Sequence, residues 1–304
     1  MASTEVWAIG DDGTRLYACT VGTGPTPVII PTACFLSAEL PALAEGRMLI
    51  FYDTRSRGQS DAITDPAGLT MAHEVRDLEA VRRHFGLDHF CLLGWSYLGA
   101  VAALYASAYS QAVMRLLLVG PMHPRRHRYS DEDPARFEAR VDPAGRQRLA
   151  AMRQAGLETR EPAAFCRAYY QVTMPRQMGR PGALSRMRSD PCVYENEWAA
   201  NITRTWQYLA QARGAWDWRP EIARVQAATL VMQGAEDSQP LAAAREWAAT
   251  LPNARLLVLP EVGHYPWLED PHAFFSAAEQ FLSGAWPPGA TVVHAAAPGD
   301  DGQK

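Results

Sequence analysis

The chain has 304 residues, of which 48% are hydrophobic and 20% charged, and its formal net charge is −4. This balance is ordinary for a globular protein, and it gives no reason to expect nucleic acid or an anionic membrane surface as a partner. No stretch is apolar enough to span a bilayer, and residues 1–10 lack the basic and apolar regions of a signal peptide, so we expect a cytoplasmic protein.

Strand-like and helix-like segments alternate along the first 120 residues. Asp12-Gly13 stands between two short β-type patterns, which predicts a hairpin. Later strands are continuously apolar, and alternation of such strands with helices predicts a mostly parallel sheet covered on both faces. The predicted strands are residues 6–9, 15–21, 27–30, 47–52, 90–93 and 116–119, and the predicted helices are 69–85 and 98–109.

The alternation stops at Pro121 and resumes near residue 221. The block between shows amphipathic helical patterns and no comparable strand pattern, so it predicts a helical cap inserted over one edge of the sheet. We assign residues 1–121 and 221–284 to the core, 122–220 to the cap, and 285–304 to a disordered tail. Predicted helices of the cap are 134–155, 162–170 and 195–213; strands 228–233 and 255–259 and helices 241–250 and 271–283 follow.

The stretch Gly94-Trp95-Ser96-Tyr97 lies between a buried strand and an Ala-rich helix. A serine on such a sharp strand-to-helix turn is exposed to substrate, as in the Gly-x-Ser-x-Gly elbow of serine nucleophiles. Here Leu98 stands two residues after the serine and Gly99 follows it, so the match is close but imperfect.

A serine hydroxyl needs a base to take its proton and a third group to hold that base. In a sheet with the serine elbow the chain order is Ser, then Asp or Glu, then His. Asp237 follows the strand 228–233, with Glu236 as the neighbouring alternative. Its Gly-x-x-Asp spacing resembles the one that carries the acid in sheets with this serine elbow, so Asp237 is preferred. His264 follows the last strand after Gly263, where it can reach over the sheet edge.

These motifs, together with the run from Phe51 to Ser60, resemble the α/β-hydrolase fold family, in particular its proline-iminopeptidase-like and epoxide-hydrolase-like branch with a helical cap. The resemblance covers about residues 5–284. It implies an α/β-hydrolase fold and a structural role for Asp53. Serine rather than aspartate at position 96 argues against dehalogenase and epoxide-opening chemistry.

The expected chemistry is acyl transfer, with Ser96 attacking a carbonyl, His264 taking its proton and Asp237 orienting the imidazole. The oxyanion requires two donors, which we expect to be the backbone N–H groups of Tyr97 and Ala33, with Cys34 as the alternative to Ala33.

Three glycines common in the family are missing. The oxyanion loop, usually His-Gly followed by small residues, reads Pro31-Thr32-Ala33-Cys34. Ser56 replaces a glycine of the Asp53 loop, and Leu98 stands two residues after the serine, where a small residue lets helix and strand approach closely. Either the differences are tolerated drift, or they alter the oxyanion site and shift the reaction.

Aromatic side chains are frequent in the cap, and most are expected to form its own core. A subset should line an apolar substrate pocket, since insertions over the active edge face the substrate. Amine binding by Glu195 and Glu197, as by the cap glutamates of proline iminopeptidases, is not favoured because no other peptidase-specific mark is present. The candidate substrate-binding residues are Trp95, Tyr169, Tyr170, Trp198 and Tyr265.

Cysteine and histidine patterns predict neither a disulfide framework nor a metal site. The cysteines are odd in number and show no paired spacing, which fits a reducing compartment. His123 and His127 are separated by Pro124, and no further ligand is clustered nearby. The five cysteines are Cys19, Cys34, Cys91, Cys166 and Cys192.

The sequence therefore predicts a serine hydrolase without cofactor or metal, acting on an ester, lactone, thioester or amide of a small, largely apolar molecule. Two alternatives stay open: a non-hydrolytic enzyme of the same fold, such as an acyltransferase, cyclase or decarboxylase, and a ligand-binding protein with a vestigial site. A small-molecule substrate is the expected partner, and formation of a homodimer stays open.

Overall fold

The computed structural model describes residues 4–129, 140 and 142–294. Its eight described strands are β1 (Thr4–Ile9), β2 (Arg15–Val21), β3 (Thr26–Pro31), β4 (Arg47–Tyr52), β5 (Phe90–Trp95), β6 (Val113–Val119), β7 (Ala228–Gly234) and β8 (Ala254–Leu259). They form one sheet in the order β1-β2-β4-β3-β5-β6-β7-β8. β2 pairs antiparallel with β1 and β4, and all other neighbours are parallel.

Helices connect the strands, as the alternation of patterns predicts. The described α-helices are α1 (Ala33–Leu36), α2 (Met71–His84), α3 (Tyr97–Ala108), α4 (Arg126–Tyr129), α5 (Pro143–Gln154), α6 (Leu157–Arg160), α7 (Pro162–Thr173), α8 (Ala199–Arg213), α9 (Arg219–Ile222), α10 (Leu241–Thr250), α11 (Pro266–Glu269) and α12 (Pro271–Leu282). Short 3₁₀ helices cover Pro41–Ala44, Pro66–Gly68, Pro175–Gln177, Pro181–Arg186, Pro191–Val193 and Glu195–Glu197. None of these helices has the length and apolar character that crossing a bilayer requires.

The sheet has an apolar layer on each face. In β3, Val28 and Ile30 belong to the layer that includes Phe274 of α12, whereas Ile29 between them packs into the layer that includes Ala103 of α3. Since successive side chains of a strand point to opposite faces, a continuously apolar strand needs cover on both sides. The predicted fold class is confirmed.

Residues 122–220 lie between β6 and β7 and add no described strand to the sheet; we refer to them as the insertion. Its two ends run side by side, with an isolated bridge between Arg125 and Asp217. The Arg126 N–H donates to the Trp216 carbonyl and the Trp218 N–H to the Pro124 carbonyl, both at 3.0 Å. This neck closes the insertion next to the sheet. Residues 130–139 and 141, which include part of the predicted helix 134–155, lie outside the described residues.

A disulfide joins Cys166 of α7 to Cys192, 26 residues later. The expectation that no cysteines pair is therefore wrong for these two, while Cys19, Cys34 and Cys91 are buried and form no disulfide within the described residues. The spacing of the two cysteines along the chain did not indicate the bond, because they come together only when the insertion folds. The bond also removes one reason for expecting a reducing compartment.

The chain beyond residue 284 is ordered for longer than its composition suggests. Leu256 of β8 and Thr291 exchange two backbone hydrogen bonds of 2.8 and 2.9 Å, and the Arg255 guanidinium lies 4.7 Å from the ring centre of Trp286. The expectation of disorder from residue 285 is thus corrected for residues 285–294, and residues 295–304 lie outside the described part.

Candidate active site

Ser96 occupies the turn between β5 and α3. Its backbone has φ 58°, a left-handed conformation that is unusual for a side-chain-bearing residue and typical of a nucleophile elbow. The turn is tight, because a Cβ on Gly94 would lie 2.7 Å from both the Ala102 Cβ and the Leu98 carbonyl oxygen. The absence of a side chain at Gly94 therefore lets α3 start directly against β5.

Ser96, Asp237 and His264 meet at one edge of the sheet, beyond the carboxyl ends of the parallel strands β5, β7 and β8. The Ser96 Oγ lies 2.9 Å from His264 Nε2, and His264 Nδ1 lies 2.9 Å from Asp237 Oδ2. Both the imidazole and the carboxylate are buried. Since the carboxylate can only accept, Nδ1 carries the proton and leaves Nε2 to accept from the serine hydroxyl. The three residues named from the sequence thus lie together in the structure, whereas Glu236 is exposed and interacts with Arg140.

Gly120 has a site role that its sequence position did not reveal. It follows β6 with φ 50°, and a Cβ there would lie 2.8 Å from Asp237 Oδ2 and 3.1 Å from His264 Nδ1. Any side chain would push into the contact between these two groups.

Glu269 holds the loop that carries His264. Its buried carboxylate accepts the N–H groups of Gly263 and Tyr265 at 2.9 and 3.2 Å, and those of Gly179 and Arg180 of the insertion at 2.8 and 2.9 Å. The residue thus fixes both flanks of the histidine and one segment of the insertion. Its contacts lie up to 90 positions away, and no sequence motif pointed to it.

The insertion and Trp95 also contact His264 directly. The His264 N–H donates to the Gln177 carbonyl at 2.8 Å, and its own carbonyl accepts the indole N–H of Trp95 at 3.0 Å. The rings of Trp95 and His264 lie 5.3 Å apart. The imidazole is therefore held from its backbone as well as from Asp237.

The three backbone N–H groups expected as oxyanion donors differ in whether another protein group already accepts their hydrogen bond. Within the described part of the chain, the N–H groups of Ala33 and Tyr97 donate to no other protein acceptor, as first residues of α1 and α3. The Cys34 N–H donates to Asp53 Oδ1 at 2.8 Å, so Cys34 is not available as the alternative donor. Thr32, with φ 74°, turns the chain into α1.

Asp53 has the structural role that the resemblance implies. It is fully buried and accepts the N–H groups of Cys34 and Gln59. Burial raises the pKa of its carboxyl to about 6, although these hydrogen bonds act in the opposite direction. Gly58, with φ 47°, is required beside it because a Cβ there would lie 2.0 Å from Asp53 Oδ2.

A cavity of about 170 Å³ opens beside the Ser96 hydroxyl. Three of the predicted substrate-binding residues, Trp95, Tyr170 and Tyr265, line it. Tyr169 and Trp198 do not: Tyr169 packs against the core of the insertion, and the Trp198 indole donates to the Cys192 carbonyl. Additional lining residues that the prediction missed are Thr32, Phe35, Arg57, Tyr97, Leu98, Gln177, Ile202 and Trp206.

Leu98, which replaces a family glycine, lies in an apolar cluster with Leu69 and Leu209 and contributes to the cavity wall. The close approach that a glycine would permit occurs one residue later. A Cβ on Gly99 would lie 3.0 Å from Pro121 Cβ.

The histidines considered as metal ligands have other surroundings. His123 is buried, and its ring stacks on Trp216 at 5.1 Å, while the side chain of His127 lies outside the described residues. Nowhere in the described ranges do three or more His, Cys, Asp or Glu side chains form a group that could hold a metal ion.

Comparisons with known proteins identify a family whose model the chain matches, and relatives of similar sequence or fold. Residues 24–278 match the model of the alpha/beta hydrolase family. The chain is 26% identical to a proline iminopeptidase of Levilactobacillus brevis, over 80% of this chain and 81% of that protein. A match at 39% identity to a proline iminopeptidase of Saccharolobus solfataricus spans only 24% of each chain. A solved esterase of Exiguobacterium antarcticum superposes with a TM-score of 0.69 at 20% identity, covering 92% of this chain and all of the other.

Proposed function

Because the chain belongs to the alpha/beta hydrolase family, we propose that it is a serine hydrolase that cleaves an ester, lactone, thioester or amide bond of a small, largely apolar molecule. The observation that carries the proposal is the continuous hydrogen-bonded series from the Ser96 hydroxyl through His264 to Asp237 beside a cavity. Similarity to proteins named proline iminopeptidase and esterase supports chemistry at an acyl carbon.

In the proposed mechanism, Ser96 Oγ attacks the substrate carbonyl carbon while its proton passes to His264 Nε2. Collapse of the tetrahedral adduct breaks the bond to the leaving group, which takes the proton from the imidazolium. Water then attacks the acyl-enzyme with His264 as base, which releases the acid and restores the serine. Asp237 stabilises the imidazolium in both steps.

The negative oxygen of the tetrahedral adduct requires donors in fixed positions. The backbone N–H groups of Tyr97 and Ala33 fill this role in the proposal, since both lie at helix starts and use no acceptor in the described protein. Loss of one such donor typically costs about 3 kcal/mol of transition-state stabilisation.

The insertion acts in this proposal as the cap that selects the substrate. Tyr170, Gln177, Ile202 and Trp206 of the insertion face the same cavity as Ser96 and Trp95 of the core. Substrate therefore lies between the two parts of the chain, and changes in the insertion should alter selectivity.

Turnover of a chromogenic short-chain ester by wild type and Ser96→Ala tests the proposal. The variant should lose turnover, and a fluorophosphonate probe should label wild type at Ser96 but not the variant. Labelling of Ser96 without hydrolysis would favour an acyltransferase or cyclase. Absence of both, with stabilisation by a ligand, would favour a binding protein.

Asp237→Asn tests the third member of the series. An amide in place of the carboxylate no longer stabilises the imidazolium, so kcat should fall by about 10²- to 10⁴-fold. Glu236→Gln is the matched control, because its side chain lies next in sequence but is exposed and outside the site. Loss of activity in the control with retention in Asp237→Asn would contradict the assignment.

A further inference from the structure

A buried ion pair borders the cavity beside Ser96. Arg57 Nε lies 2.8 Å from Glu197 Oε1, and Arg57 Nη2 lies 2.9 Å from Glu197 Oε2. The Glu197 side chain has no exposed surface, whereas that of Arg57 is 12% exposed and lines the cavity. The carboxylate therefore lies behind the guanidinium as seen from the substrate space.

Glu197 has no capacity left for a substrate amine. Besides Arg57, its carboxylate accepts the Gly58 N–H at 2.9 Å and the Tyr170 hydroxyl at 3.3 Å. A buried carboxylate with this set of donors is satisfied, and an incoming ammonium group would also face the Arg57 charge. The pair thus disfavours substrates that present a free amine.

Arg57 keeps donors for a ligand. A guanidinium has five N–H groups in a planar fork, and Glu197 uses one on Nε and one on Nη2. Nη1 makes no hydrogen bond within the described protein. Bidentate pairing with Glu197 fixes the plane of the group, and its Cζ lies 5.9 and 5.7 Å from the ring centres of Phe35 and Trp206. The fork is held in position before any ligand arrives.

Among the described residues that line the cavity, Arg57 is the one with a permanent charge. We propose that Arg57 binds a carboxylate carried by the substrate that Ser96 attacks, so that the enzyme prefers acyl compounds with an apolar body and one anionic group. This inference rests on the proposed function and names the substrate class. An arginine that is already oriented matches the planar geometry of a carboxylate, while the aromatic walls accommodate the apolar part.

Two matched esters test the preference. Mono-4-nitrophenyl adipate carries a free carboxylate, and 4-nitrophenyl 6-methylheptanoate has an isopropyl group of similar shape in its place. With spontaneous hydrolysis subtracted, wild type should show a kcat/KM for the adipate ester that is about 10- to 100-fold higher, as expected for a hydrogen bond between charged partners.

The double variant Arg57→Met/Glu197→Met removes the pair without leaving a buried charge alone. Its ratio between the two esters should fall to about one-tenth or less of the wild-type ratio, with thermal unfolding as the check on its fold. The control is Arg167→Met/Asp190→Met, which removes an exposed pair of the insertion and should keep the wild-type ratio.

A wild-type ratio of one or less overturns this inference, and that result does not depend on whether the double variant folds. A folded double variant that keeps the preference also overturns it, because the carboxylate would then bind elsewhere. If wild type cleaves neither ester and Ser96 is not labelled by a fluorophosphonate, the proposed function fails and this inference fails with it.

Discussion

At the scale of single residues, two positions that carry a side chain in place of a family glycine have a positive φ, a backbone conformation that favours glycine. Thr32 and Ser56 replace family glycines and have φ values of 74° and 60°. Such conformations cost side-chain-bearing residues on the order of 1–3 kcal/mol, most for a β-branched residue such as threonine. The Ser56 hydroxyl offsets part of this cost by accepting the Ile63 N–H at 2.8 Å. The loops around Ser96 are therefore kept in shape by their surroundings.

Glu74, which contacts the residue after Ser96, makes the free energy of unfolding depend on pH. It is buried in α2 and accepts a hydrogen bond from the Tyr97 hydroxyl, next to Ser96. Burial raises the pKa of its carboxyl to about 7, which the Tyr97 hydrogen bond only partly opposes. The folded protein thus binds a proton that the unfolded chain has released between about pH 4.5 and 7, so the free energy of unfolding falls as pH rises through this range.

Glu74→Gln should remove this contribution. Between pH 5 and pH 8, the decrease in the free energy of unfolding should be smaller than in wild type by about 2 kcal/mol. Urea unfolding at both pH values measures it. Equal pH dependence in the two proteins would show that Glu74 ionises normally.

At the scale of helices, strands and loops, sequence prediction succeeds for features that depend on residues close together in the chain. It fails for contacts between residues that are far apart in the chain. The Asp12-Gly13 hairpin, the end of α2 at His84 within one residue of the predicted end at residue 85, and the turn at Ser96 depend on neighbouring residues. Each was predicted from those residues. Contacts between distant segments were missed, such as Arg57 with Glu197, 140 positions apart. Neither residue carries a local signal, because their pairing exists only after the insertion folds over the core. The family resemblance itself, which rests on local motifs, is confirmed.

The Cys166–Cys192 bond connects α7 to the segment that leads to Glu197. Closing a loop of 26 residues in the unfolded chain corresponds to about 3.5 kcal/mol in the chain-entropy model. The double variant Cys166→Ala/Cys192→Ala should therefore unfold at a lower temperature than oxidised wild type, by roughly that free energy. Reduced wild type should match the variant. Five free thiols in the unreduced protein, counted by mass spectrometry after alkylation, would contradict the bond.

At the scale of the whole molecule, buried carboxylates tie the insertion to the core. Glu269 binds Gly179 and Arg180 of the insertion and both neighbours of His264, whereas Glu39 accepts the N–H groups of Arg188 and Ser189, each at 2.7 Å. Hydrogen bonds to charged acceptors contribute about 1.5–3 kcal/mol each. The position of His264 is thus coupled to the position of the insertion. This coupling depends on several elements of the fold together.

Comparison of Glu269→Gln with Glu39→Gln separates positioning from stability. Both variants should be less stable, since an amide cannot accept every N–H that the carboxylate accepts. Only Glu269→Gln disturbs the His264 loop, so it alone should slow the fluorophosphonate labelling of Ser96, by about 10-fold or more, when measured well below both melting temperatures. Equal labelling rates in the two variants would assign Glu269 a structural role only.

The neck at Arg125 and Asp217 has a consequence for how such a protein can diversify. The chain leaves and returns through one narrow, hydrogen-bonded stem, while β6 and β7 on either side pair directly with each other. Because the entropy of closing a loop grows only slowly with its length, the sheet tolerates a longer or different segment beyond the stem. Recombination at this stem would exchange the insertion, which is the substrate-selecting part in the proposed function, while Ser96, Asp237 and His264 stay on the other side of the junction. The exchanged segment has to supply again the contacts that Gln177 and Gly179 make with His264 and Glu269.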